Sequence, residues 1–79
     1  MEIELQTPVG GYQKDMLQDA VENVESAEVE FRDDIVILSC ESTDGAQTVV
    51  DELEVLSDEM VSGVAKAGRM VAEEISEAI

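Results

Sequence analysis

Carboxylates are the only side chains here numerous enough to suggest a chemistry, and they fall in pairs and rows. Asp33-Asp34 and Asp51-Glu52 are adjacent acids, the raw material of general acid–base catalysis. Asp51, Glu54 and Asp58 share one helical face, at a spacing that can imitate the phosphates of a nucleic acid. Acid catalysis needs a carboxyl desolvated in a cleft so that it keeps its proton, and a chain of 8.6 kDa has little room for one. The pairs are therefore expected to be solvated surface charge. With no His and one Cys, zinc sites and His-assisted nucleophiles lack ligands or a base. Asp44-Gly45 lacks the alternating acids of a calcium loop, and Gly10-Gly11 is too short to cradle phosphate. Cys40 sits in an apolar β-branched run, where a thiol is expected to be an inert small hydrophobe. The expectation is a protein without catalytic residues, cofactor or metal.

The overall charge narrows the partners. Twenty Asp and Glu against four Lys and Arg give −16 over 79 residues. A nucleic-acid groove needs a basic stripe to displace counterions, so direct phosphate binding is disfavoured, as is an anionic membrane. Three explanations of the acidity stay open: a high-salt cytoplasm, a basic protein partner, or imitation of a nucleic-acid backbone. A hydrophobic fraction of 44% is enough for a folded domain and too high for a disordered acidic tail. A single Cys excludes an internal disulfide, and no long apolar run or leader-like segment is present, which points to a soluble cytoplasmic protein.

The elements that must position these residues follow from periodicity. Glu2-Ile3-Glu4-Leu5-Gln6 alternates as a half-buried strand does and stops at the breaker cluster Pro8-Val9-Gly10-Gly11. Tyr12, Met16, Leu17, Ala20, Val21 and Val24 then fall on one face of a helix running to about Glu25. Glu28-Val29-Glu30-Phe31-Arg32 and Ile35 to Cys40 form a hairpin around Asp33-Asp34, which sets Phe31 against Val36, Val29 against Leu38 and Ala27 against Cys40. The opposite hairpin face carries Arg32, Ile35, Glu30, Ile37, Glu28 and Ser39. Ile35 and Ile37 on it are either scattered exposed isoleucines or a contact face for another subunit.

Asp44 is expected to cap a final helix, with Gln47 reaching back. Beyond it Val49, Leu53, Leu56, Met60, Val64, Ala67, Val71, Ile75 and Ala78 recur every three or four residues. One continuous helix would be about 50 Å long, more than a small sheet can cover, and Ser62-Gly63 offers a place to bend or break it. The window from Met60 to Ala72 contains no acid and holds Lys66 and Arg69. Its second stripe, Val61, Ala65, Gly68 and Ala72, is small-sided and suits close packing, either on the chain's own domain or against a partner helix. The order β-α-β-β-α gives an α+β single domain over residues 1–79: a three-stranded antiparallel sheet with the third strand central, two helices on one face and a long C-terminal helix.

Ile3-Glu4-Leu5-Gln6-Thr7-Pro8 leading into a helix, the Glu28-Val29-Glu30-Phe31 and Ile35-Val36-Ile37-Leu38 hairpin, and the step Ser42-Thr43-Asp44 opening the last helix together resemble the small dimerising subunit of the KEOPS complex, the cancer/testis-antigen-like family. The family's Leu-Arg and Asn-Ser pairs on that helix are replaced here by Gln47-Thr48 and Asp51-Glu52. The resemblance implies a non-catalytic adaptor that pairs with itself or a paralogue. It also implies docking onto the catalytic subunit that installs threonylcarbamoyl on tRNA adenosine. Carried onto this chain, the docking residues are Val61, Val64, Ala65, Gly68 and Ala72; the possible dimer face, Ile35 and Ile37, is read from the hairpin pattern and not from the resemblance. The competing readings are an acidic nucleic-acid mimic of viral or plasmid origin and a small interaction domain of a halophile.

Overall fold

Alternation of exposed glutamate with buried Ile3 and Leu5 makes Glu2–Leu5 a strand, β1, with one face toward the core. The computed structural model describes residues 1–6, 10–33 and 35–79, so Pro8 and Val9 of the expected breaker cluster, Thr7 and Pro8 of the first run quoted for the resemblance, and Asp34 of the expected hairpin turn lie outside the described residues. After β1 come helix α1 (Gly11–Glu22), strands β2 (Ala27–Phe31) and β3 (Val36–Cys40), and helices α2 (Thr43–Asp58) and α3 (Ser62–Ala78). The sheet order is β1-β3-β2 and both pairings are antiparallel, so the most apolar strand is central, as its composition predicts.

The hairpin has the expected register: Phe31 pairs with Val36, Val29 with Leu38 and Ala27 with Cys40. Arg32 and Ile35 exchange both backbone hydrogen bonds, at 2.9 and 3.3 Å, and close the ladder at the turn. Because β1 pairs Ile3 with Leu38 and Leu5 with Val36, one sheet face is apolar across all three strands. The helices cover that face, and Leu17, Leu38, Leu53, Ile75, Val49 and Val71 lose essentially all contact with water there.

Three expectations are corrected. Tyr12 is 71% exposed and not part of the buried face of α1. Helical side chains lean toward the N-terminus, and at the first turn that direction leads off the end of the helix. The helix itself stops at Glu22, and Val24 is buried from the following turn instead. Ser42, not Asp44, caps α2: its backbone is extended and its Oγ accepts the Gly45 N–H at 3.4 Å. Asp44 lies inside the first turn, where its charge favours the helix N-terminus, and Gln47 donates forward to Asp51 at 3.1 Å.

The C-terminal helical stretch is two helices folded against each other, with the turn at Glu59, Met60 and Val61. Backbone N–H groups of Glu59 and Met60 bond back to Leu56 and Ser57 and finish α2. Folding the stretch back on itself solves the coverage problem that a 50 Å rod would create, because α3 returns over the sheet and reaches β1. Gln6 N–H donates to both oxygens of the Glu74 carboxylate, at 3.1 Å for Oε2, which ties the end of β1 to the last turns of α3.

Candidate interaction surfaces

The sheet face away from the helices is defined residue by residue by the strand register. Ile37 stands between Glu4 on β1 and Glu30 on β2, and Ser39 between Glu2 and Glu28. The four glutamates are exposed, whereas Ile37 and Ser39 on the central strand, and Ile35 just before it, are half-buried. Arg32 grips Glu30 through two bonds, Nε to Oε1 at 2.9 Å and Nη2 to Oε2 at 3.1 Å. That hydrogen bond, and then the Glu30 charge, raise the guanidinium pKa above its usual value. Among the described residues Glu2, Glu4 and Glu28 form no ion pair, so the face is an aliphatic strip between two rows of carboxylates.

The small-sided stripe of α3 is placed differently from its partner-docking assignment. Ala65, Gly68 and Ala72 are buried within the chain, Val64 is half-buried, and Val61 alone of the five is fully outward, at 74% exposure. The close approach that small residues permit is used internally. A Cβ built on Gly68 would lie 2.5 Å from Ser57 Oγ on α2 and 2.6 Å from Met16 Cε on α1, so all three helices meet at this one position. Ser57 is itself fully buried, and its hydroxyl is satisfied by donating to the Leu53 carbonyl at 2.7 Å. The acid-free part of α3 presents Lys66, Arg69 and Met70 outward, with Val61 exposed at its N-cap, and the exposed acids Glu73 and Glu77 follow.

The acidic pairs and rows lie on the outside. Asp33 and Asp51 are exposed and Glu52 is half-buried on α2. Asp51, Glu54 and Asp58 all face solvent, but Arg69 reaches across from α3 to Asp58 at 2.7 Å, so the row ends in a neutralised pair. The groove between the two helices is lined by Glu54, Asp58, Arg69, Glu73, Ser76 and Glu77. Among the described residues no group of three or more Cys, Asp and Glu is gathered to hold a metal ion.

Cys40 ends β3 facing the core, 5% exposed, with its carbonyl accepting the Met1 ammonium at 2.6 Å. Burial pushes its thiol pKa up, partly offset by the nearby N-terminal charge. The unfolded thiol therefore ionises at a lower pH than the folded one. Whatever stability this difference contributes is full below the ordinary thiol range and is lost as pH rises through it. Alkylation by iodoacetamide at pH 8 is expected to be at least about 100-fold slower for the native chain than in urea, because thiolate forms only on opening. Equal rates would place the sulfur at the surface.

Two residues that hold these surfaces in place were not singled out by sequence. Ser57 is a polar residue in an apolar stripe, and its placement one turn after Leu53 is the signal that marks the helix crossing. Glu74 carries no such signal, because its role depends on β1 arriving beside α3. Among the described residues no helix is long and apolar enough to cross a membrane. No family model, curated protein or solved structure matches the chain.

Proposed function

We propose that the chain is a non-catalytic adaptor subunit that works by docking to other proteins, in the manner of the small subunit of a KEOPS-like tRNA threonylcarbamoyladenosine-modification complex. The observation that carries the adaptor reading is the helix-free sheet face, where Ile37 of the central strand and Ile35 just before it are left half-buried by the chain's own residues. The likeness to the KEOPS subunit rests on the sequence runs of β1, the β2-β3 hairpin and the start of α2, and on the order of the elements through α2; α3 is additional to it. Docking onto a catalytic subunit is assigned to the outward side of α3, through Val61, Lys66 and Met70, since Ala65, Gly68 and Ala72 are occupied at home. Pairing with a less acidic paralogue is favoured over pairing with a second copy, because each copy brings a charge of −16.

Sedimentation velocity of the chain mixed with the catalytic subunit of such a complex, in low and molar KCl, tests this reading. Co-sedimentation is expected, and Val61→Glu should weaken it at least about tenfold, as a charge forced into an apolar contact does. The same variant should melt with the wild type, because Val61 is exposed. A compact monomer that ignores the subunit in both salts overturns the proposal.

A further inference from the structure

We propose that the open sheet face is the seat of an amphipathic helix from a protein partner, one whose aliphatic stripe is flanked on both sides by lysine or arginine. The proposal names the partner chemistry of the adaptor reading and rests on it, but it uses a different face from α3 and can fail alone.

Geometry selects a single helix. Neighbouring strands lie about 4.8 Å apart, so three strands span roughly 10 Å between outer backbones. One helix with its side chains is about 10–12 Å across. Seated along β3, its apolar stripe would meet Ile35 and Ile37. Its flanks would pass over β1, with Glu2 and Glu4, and over β2, with Glu28 and Glu30. Helices already cover the other face of this sheet, and a helix is the element that most simply completes the second layer.

Charge selects its flanks and excludes a second copy. Four glutamates and Arg32 leave the face at −3. Two such faces apposed would set −3 against −3 at distances shorter than the roughly 8 Å screening length of physiological salt, and the glutamates beside Ile37 would lose water with no counter-charge. Cationic flanks reverse both effects, and they speed encounter as well. Arg32 occupies Glu30, so Glu2, Glu4 and Glu28 are the acids free to receive them.

A synthetic amphipathic helical peptide of leucine and lysine, followed by fluorescence anisotropy at physiological salt, serves as the probe. Ile37→Ser should weaken its binding about tenfold or more, as should the pair Glu4→Gln with Glu28→Gln. The control pair Asp51→Asn with Glu54→Gln, which removes the same charge from α2, should change it less than about twofold. The glutamate pair is exposed and keeps the test valid should Ile37→Ser unfold. Equal losses from both charge pairs mean diffuse attraction and overturn the proposal, as does Ile37→Ser binding like the wild type. A dimer in molar salt that Ile37→Ser dissolves names a second copy as occupant and also overturns it. A chain that ignores the peptide yet co-sediments with the catalytic subunit overturns this assignment and leaves the adaptor reading standing.

Discussion

Gly68→Leu is expected to leave no folded protein at room temperature. Even a single added carbon at Gly68 meets Ser57 Oγ at 2.5 Å and Met16 Cε at 2.6 Å, and a leucine must find room for three carbons more where three helices converge. A domain of this length has a total stability of only about 4–12 kcal/mol, and the separation of α3 from both α1 and α2 would forfeit much of it. Gly68→Ala separates the contributions. Alanine gains about 1 kcal/mol of helix propensity over glycine, whereas overpacking costs about 1–3 kcal/mol, so the urea midpoint should fall by the equivalent of up to about 2 kcal/mol. Removing the opposing oxygen with Ser57→Ala should recover about 1 kcal/mol of that loss in a double-mutant cycle. A Gly68→Ala variant more stable than the wild type would show that α3 does not approach α2 and α1 this closely.

Stability should also rise steeply with salt. Sixteen uncompensated negative charges occupy a body whose Cα radius of gyration is 11.1 Å. Most pairs of carboxylates are therefore within reach of one another at low ionic strength, and unfolding relieves that repulsion. Raising KCl from millimolar to molar shortens the screening length from tens of ångströms to about 3 Å. We expect a gain on the order of 2 kcal/mol and a melting temperature higher by roughly 10 °C, at about 4–8 °C per kcal/mol for a domain of this size. The two described ion pairs, Arg32–Glu30 and Arg69–Asp58, are exposed and weaken in salt, but exposed pairs contribute little. A melting temperature flat across that range would remove salt adaptation as the reason for the acidity and leave a basic partner or imitation of a nucleic-acid backbone as its explanation.

The sheet was legible because period-two alternation fixes which side chains share a face, and placing a two-residue turn at Asp33-Asp34 then sets Phe31, Val29 and Ala27 against Val36, Leu38 and Cys40. The open face was legible in part: Ile35 and Ile37 stood out, but the carboxylates beside them came from β1, whose register depends on a long-range pairing. The helical hairpin was harder to read. Apolar residues recur at helical spacing straight through Glu59, Met60 and Val61, and no Gly or Pro falls on the break. Gly63 comes just after it, already in the first turn of α3. Once the chain reverses, α3 packs against α2, α1 and β1 together and needs a wider buried face than one stripe. That is why Ala65, Gly68 and Ala72 turn inward alongside Val71 and Ile75, and why a stripe that looked available for docking is filled.

The clasp between Gln6 and Glu74 joins residues 68 positions apart and has a consequence for the order of events during synthesis. β1 is made before the elements it packs on, which are β3 and, on the core side, α3, about 60 residues further along the chain. Until α3 emerges, Ile3 and Leu5 have only part of their cover and the α1–α2 surface around Met16 and Ser57 stays open to water. Residues through α3 must therefore be translated before β1 and the α1–α2 surface are fully covered, although the β2-β3 hairpin can pair earlier. In that interval the dense negative charge keeps nascent chains from sticking to one another and to the phosphate-rich ribosomal surface, a service to folding that precedes any partner.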